Sequence, residues 1–368
     1  MKKLAHKTSY SLTLLLFLFG FTATAERSGT EKSKEVKETH VITSKHKILI
    51  DNRFGEVNIT SWEKSEITID VQIRVKDGNE RRAQELIDRI KIDIVKTDNK
   101  IAIKTIIEGG DKDLEKKIKN DGYLKIDYNL QIPAANLLEI KNSFGLVTID
   151  RMDASVKVDL RFGAATIGSL NGDENDLNFE FCDPAVVSKF SKGKINLKFS
   201  KLELLESEDL ILTHSMSESS IDKATKVACH LKFGSLDIKE VEELAIESQM
   251  SAVKIESLLS SGDITNKYGA LNIAEVLPSV KSLTIDGQFS PIKINLSARG
   301  SYKVIAEAKM SGLKLPSGSI MEEQIFEPNQ PAIKTTNNFK GRIGEKREHP
   351  TLLNLTSSFG EIKILLED

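Results

Sequence analysis

Ten times along the chain an aromatic or Met residue precedes Gly or another small residue, one arbitrary residue, and two apolar residues separated by one. The copies read FGEVNI at Phe54, FGLVTI at Phe144, FGAATI at Phe162, FSKLEL at Phe199, FGSLDI at Phe233, MSAVKI at Met250, YGALNI at Tyr268, FSPIKI at Phe289, MSGLKL at Met310 and FGEIKI at Phe359. Weaker copies begin at Phe181 and Met216, where Cys-Asp-Pro and Ser-Glu follow, so irregular corners are expected there. From Phe144 to Met310 the intervals are 18, 19, 18, 17, 17, 17, 18, 21 and 21 residues. A short fixed period marks units that cannot bury a core alone and must stack.

Apolar residues also stand six and four places before each start, as in Ile48 and Ile50, Leu138 and Ile140, Val227 and Cys229, or Leu353 and Leu355. Each repeat therefore holds two short strands. Their period-2 alternation shifts by one residue across the small residue, as expected of a corner where Gly lets the chain bend. The pattern predicts an all-β fold, a single β-solenoid (β-helix) of 17–21-residue coils, with Phe, Leu, Ile and Val in inward ladders. On that register Phe233 fills a central ladder, and Phe233→Ala is expected to cost about 3–5 kcal/mol.

The flanks break the period. Residues 40–137 read as a first coil plus an N-terminal capping region that shields the open end of the stack. It contains a strand over Ile67–Val75 and one short amphipathic helix over Asn79–Ile90, with an apolar face of Ala83, Leu86, Ile87 and Ile90. A hairpin of Ile90–Val95 with Ile101–Ile107 follows, turning on Thr97-Asp98-Asn99, and then a strand over Tyr123–Ile132 that ends at Pro133. Residues 138–315 carry the coils, 316–350, with Pro316, Pro328, Pro331 and Pro350, read as a loop excursion, and 351–368 form a final coil.

At the start, Lys2, Lys3 and Lys7 precede an apolar run from Leu12 to Phe21 and the small-residue exit Ala23-Thr24-Ala25, the arrangement of a cleaved signal peptide over 1–25. The run is too short to span a bilayer, and no Cys follows it to take a lipid anchor. Residues 26–39, ERSGTEKSKEVKET, read as a flexible charged leader. The formal charge of −2 becomes −5 once the three leading Lys are removed, which favours neither nucleic acid nor insertion of the mature chain into a membrane. Cys182 and Cys229 fall three coils apart, roughly 14 Å at about 4.8 Å per coil, beyond the ~7 Å that a disulfide tolerates. Two unpaired thiols are expected, Cys229 facing inward.

The Phe-Gly-x-apolar-x-Ile coils behind a signal peptide, together with IDNRFGEVNITSW near residue 50, resemble the bacterial families of unknown function labelled "putative adhesin" and built as β-solenoids. The resemblance spans most of residues 45–368 and implies an exported protein of the periplasm or cell surface. It brings no catalytic residues.

Five Ser-x-x-Lys tetrads recur (Ser44/Lys47, Ser191/Lys194, Ser251/Lys254, Ser290/Lys293, Ser311/Lys314), and a Ser nucleophile with a Lys base is real chemistry. Three of them sit at the same corner of the repeat, however, which makes them scaffold. His40 and His46 lie six apart on one prospective strand face, and Asn171–Asp176 is rich in oxygen ligands but lacks the EF-hand order. No catalytic, cofactor-binding or metal-ligating residue is assigned, and no cofactor is expected. The reading is a non-enzymatic, exported cell-envelope protein that binds an envelope macromolecule, protein or glycan. Its rivals are a carbohydrate-active β-helix lyase or hydrolase, for which Trp62 and five Tyr offer few sugar platforms, and an envelope-stress accessory.

Overall fold

Alternating apolar residues between tight corners leave the backbone little but extended conformations, and the computed structural model is nearly all β. It describes residues 29–110, 122–323 and 336–367; the signal peptide expected over 1–25, Pro328 and Pro331 lie outside the described residues. In chain order the elements are β1 (Thr30–Val41), β2 (Lys47–Arg53), β3 (Val57–Trp62), β4 (Glu66–Asp77), α1 (Glu80–Asp88), β5 (Ile90–Lys96), β6 (Lys100–Ile107) and β7 (Tyr123–Pro133). There follow β8 (Leu138–Met152), β9 (Val156–Leu170), β10 (Asn175–Lys198), β11 (Lys201–Lys267), β12 (Ala270–Val276), β13 (Ser282–Gln288) and β14 (Ile292–Ser297). The last are β15 (Ser301–Lys309), β16 (Leu313–Lys314), β17 (Ile320–Glu323), β18 (Thr336–Gly344), β19 (Thr351–Ser358) and β20 (Ile362–Glu367). They join in one mixed sheet of 20 strands that does not close on itself.

The repeat sets the register. β8, β9, β10 and β11 pair in parallel, and each pairing continues through the corner: Ile140 lies opposite Val158 and Ile149 opposite Ile167, Leu160 opposite Phe179, Ile195 opposite Leu212. Counting each aromatic or Met start as position 0, the residues at −6, −4, +3 and +5 point inward, and Ile48, Ile50, Val57, Ile59, Leu236, Ile238, Leu353 and Ile364 are all buried. Cys182 and Cys229 are buried free thiols.

The aromatics themselves do not point inward. All twelve position-0 residues have φ between 49° and 64°, the left-handed region. Phe233 is 45% exposed, so its expected place in a central ladder is wrong. The inward alternation stops at position −2 and resumes at +1, as in Asn142 and Leu197 on one side of the corner and Ser251 and Ser290 on the other, all buried. Positions −1 and 0 both face out, because one left-handed residue turns the chain by a corner without a separate loop. At some corners Gly at +1 is required for space: a Cβ on Gly145 would lie 1.9 Å from the Gly55 carbonyl oxygen, and one on Gly163 1.9 Å from that of Gly145. Gly234 also takes a positive φ of 154°, and Ser fills the same position at Ser251 and Ser290. Of the two corners expected to be irregular, that at Phe181 is, with a register shift between Cys182 and Ala185 and a cis Asp183–Pro184 bond, whereas that at Met216 is not, keeping the common φ at 50° inside the unbroken β11.

Residues 66–107 and 123–133 follow their sequence pattern. Asn79 caps α1 by accepting a hydrogen bond from the Arg82 backbone N–H at 3.2 Å, and Ala83, Leu86 and Ile87 are buried. β5 and β6 form the antiparallel hairpin. β6 then flanks β2 in parallel, while β7 pairs in parallel with β3 and antiparallel with β4. The first repeat, β2–β3, thus stacks directly on the Phe144 repeat.

Two expectations change. Residues 30–39, expected as a flexible leader, belong to β1, which runs antiparallel to β4 from Thr30↔Asp77 to Val41↔Glu66; backbone pairing orders a segment with almost no apolar content. The span 316–350 is not only loop, since β18 pairs antiparallel with β15 and with β17. The final repeat, β19–β20, inserts between β13–β14 and β15–β16, so stacking order departs from chain order.

Candidate functional site

With positions −1 and 0 both facing out, the corners line up as an external ladder. Ring centroids are 5.5 Å apart between Phe54 and Phe144, 5.0 Å between Phe144 and Phe162, and 4.9 Å for both Phe162–Phe181 and Phe181–Phe199. The stack resumes at Tyr268–Phe289 (5.2 Å) and Phe289–Phe359 (4.7 Å), and neighbouring rings are never more than 7° from parallel. Met216, Phe233, Met250 and Met310 supply the remaining rungs in the same backbone conformation. Because each ring's faces are covered by its neighbours, the stack offers solvent a strip of ring edges, the positive side of the aromatic quadrupole. The small interplanar angles keep the edges of neighbouring rings nearly parallel.

Beside it runs a groove of about 690 Å³ built from positions −3 to 0 of five successive rungs, with Phe54 and Phe144 at its aromatic edge. Its polar groups are held in cross-repeat contacts. Asn196 Nδ2 donates to Asn178 Oδ1 at 2.8 Å, and Asn178 Nδ2 donates to Asp159 Oδ1 at 2.9 Å. Glu180 lies between Arg161 (2.9 Å) and Lys198 (2.8 Å), and the Lys198 hydrogen bond holds its carboxyl below the usual carboxylate range. A carboxylate fixed in its charged form between two cations is poorly placed to carry protons; the groove offers repeated contact. A second groove of about 720 Å³ has the same positions further along, at Thr213–Ser215, His230–Lys232 and Ser248–Gln249.

Within that groove stands an inward polar group that the sequence reading passed over. His214 is buried at position −2, opposite Leu197 of the preceding rung. Its Nδ1 is 3.2 Å from Ser219 Oγ and its Nε2 has no partner, and burial pushes its pKa down to about 4.

The three Ser-x-x-Lys serines at the corner position are fasteners. Ser251 donates to the Gln249 carbonyl at 3.0 Å, and Ser311 to that of Gly360; Ser290 accepts from Asn266 Nδ2 at 2.7 Å. Cys182 makes the same kind of contact, its thiol 3.4 Å from the Glu180 carbonyl, and burial raises its pKa to about 11. The lysines face out to carboxylates: Lys47 to Glu139 at 2.7 Å, Lys194 to Asp176 at 3.2 Å, Lys254 to Glu256 at 3.1 Å, Lys314 to Glu361 at 2.8 Å. His40 and His46 take up different partners, Nε2 of the former 2.7 Å from Glu38 and Nδ1 of the latter 3.1 Å from Thr43. In the acidic turn, Asn175 faces inward, accepting from the Val156 N–H and donating to the Gly172 and Lys192 carbonyls, while Asp173 stays in solvent.

No protein-family model and no curated protein sequence matches the chain. Among solved structures it is similar to a "putative adhesin" from Parabacteroides merdae, at TM-score 0.32 and 13% identity over 90% of this chain and 96% of that one. It is also similar to a "putative cell adhesion protein" from Clostridium sporogenes, at TM-score 0.20 and 12% identity over 91% and 100% of the two chains. A third is a "putative adhesin" from Bacteroides fragilis, at TM-score 0.23 and 11% identity over 90% and 97%. All three are bacterial and bear the label of the families that the repeat resembles; likeness at this level transfers no residue role.

Proposed function

We propose that the chain is an exported, non-enzymatic β-solenoid of the cell envelope that holds an extended macromolecule along its outer ladder. Residues 40–137 cap one end, 138–315 form the coils, and 351–368 complete the stack inside the other end. The observation that carries this reading is the row of outward aromatic and Met rungs with a groove repeating beside it. An apolar strip of this length on a soluble protein marks an interaction surface, and a surface that repeats each ~4.8 Å suits a polymer that repeats too. The engaged corner serines and the clamped Glu180 support a binding role over a hydrolytic one. Among the described residues no helix is long and apolar enough to cross a membrane.

The test pairs location with retention. Protease shaving of intact cells beside osmotic-shock fractionation places the protein at the surface or in the periplasm; recovery in the cytosol would sink the reading. Purified protein is expected to sediment with isolated envelope material, and Phe144→Ser/Phe162→Ser to lose at least tenfold in retention while remaining folded by circular dichroism. Equal retention of the variant would remove the ladder from the function.

A further inference from the structure

The outer face of the capping sheet has a different chemistry from the ladder. Strand pairing sets Asn58 of β3 beside Asn129 of β7, and Thr60 beside Gln131. On the far side of β7, Asp70 of β4 pairs with Asn129 and Thr68 with Gln131. Six side chains of amide, hydroxyl and carboxylate type thus line a shallow groove of about 540 Å³, whose apolar neighbours Ile69 and Leu130 point into the core. Asn58 Nδ2 donates to Asn129 Oδ1 at 3.0 Å, and Thr68 donates to Gln131 Oε1 at 3.3 Å. That leaves the Nδ2 of Asn129 and Nε2 of Gln131 as donors and the Oδ1 of Asn58 as an acceptor, all without a protein partner. Asp70 Oδ1 is a buried acceptor without a hydrogen bond, while its other oxygen is 3.6 Å from Lys37.

We infer that this face binds a neutral, linear polysaccharide. Protein partners are gripped by aromatic and Arg anchors, and none of the six is one. A nucleic acid or acidic glycan wants uncompensated cations; here Lys37 is shared by Glu35 and Asp70, and Asp70 and Glu38 would repel a polyanion. A neutral glycan presents hydroxyls that both donate and accept, which matches side-chain amides one for one. Neighbouring strands set those amides about 4.8 Å apart, the scale of one sugar ring. Strand alternation carries Trp62 onto the same face after Asn58 and Thr60, its Nε1 fixed 2.8 Å from the Glu66 carbonyl. This surface is separate from the ladder and does not depend on it.

Trp62 is the chain's single Trp, so tryptophan fluorescence, excited where Tyr does not absorb, reports on this face. The expected result is a saturable change on titration with at least one of cellohexaose, chitohexaose, xylohexaose or mannohexaose at or below millimolar concentration, and none with hexagalacturonate. Asn129→Ala/Gln131→Ala should weaken it at least tenfold with an unchanged unfolding midpoint, and Phe144→Ser/Phe162→Ser should leave it intact. Silence with all four neutral sugars, equal binding by the amide variant, or preference for the acidic sugar would overturn the assignment. A silent titration with ladder-dependent envelope retention intact would leave the ladder reading standing without this one, and a saturable titration with retention lost from neither variant would leave this one standing without the ladder reading.

Discussion

A left-handed backbone is a costly place for any side chain but Gly, yet twelve corners put Phe, Tyr or Met there. Stacking offsets the cost, since Phe162 lies 5.0 Å from Phe144 and 4.9 Å from Phe181. Phe162→Ala keeps the unfavourable φ of 54° and loses both contacts, at about 0.5–1.5 kcal/mol each. The total is below the ~3–5 kcal/mol of a buried Phe. Phe162→Gly loses the same contacts but relieves the backbone, so it should be more stable than the Ala variant by about 1 kcal/mol, the reverse of the order inside an ordinary strand. Urea unfolding of the two variants decides it, and a more stable Ala variant would contradict the corner geometry. His214 gives a second residue-level expectation. Its folded pKa of about 4 lies below the ordinary 6.5, so the unfolded chain binds more protons between those values. Stability from this group is therefore full above pH 6.5 and falls as pH drops towards 4, by at most about 3 kcal/mol. His214→Leu, matching Leu197 beside it, should flatten that slope and raise the unfolding midpoint at pH 5; an unaltered slope would place the titration elsewhere.

At the scale of elements, what the sequence disclosed followed from periodicity. The apolar faces of β4, α1, β5, β6 and β7 repeat at 2.0 or 3.6 residues, and each element lies within two or three residues of where its pattern put it. The strands on either side of each aromatic or Met start were legible for the same reason. β1 was not, because its alternating Glu and Lys bury no apolar side chain beyond the half-covered Val36; it is held by twelve residues of backbone pairing to β4 and by contacts such as Lys32–Glu80 at 2.7 Å. The direction of the aromatics was misread by carrying the period one step too far. The correcting signal was at position −2, where Asn52, Asn142, His214, Ser248 and Asn266 interrupt an apolar series. Buried polar side chains there bond the corner of a neighbouring repeat or the strand beside it: Asn142 Nδ2 donates to the Gly55 carbonyl, and Asn52 Nδ2 to that of Ile126 in β7, each at 3.0 Å. The ladder was therefore visible in sequence as a row of residues but not as a surface, and the amide face of the cap depended on pairings between strands some 70 residues apart.

For the whole molecule the order of stacking is the part no local pattern could reveal, since every repeat offers its neighbours the same backbone edges and the same inward Ile, Leu and Val. The final repeat is held on both sides: Leu353 lies between Leu283 and Val304, and Ile362 between Ile292 and Leu313. Stacked repeats draw stability from nearest-neighbour interfaces, so removing an interior repeat deletes two interfaces where removing a terminal one deletes a single interface. Deleting residues 351–368, though they follow all the other repeats in sequence, should act like an interior loss. β15 and its partner β18 would then be cut off from β13, and the Phe289 rung would lose its 4.7 Å contact with Phe359. Limited trypsin digestion of the truncated protein should cut readily between residues 290 and 350 while 138–276 stays protected, and its unfolding should lose a single cooperative transition. Protection of 290–350 equal to that of the full chain would mean that the two flanking repeats can close the gap themselves, and that the insertion of the last repeat adds no stability to the end it fills.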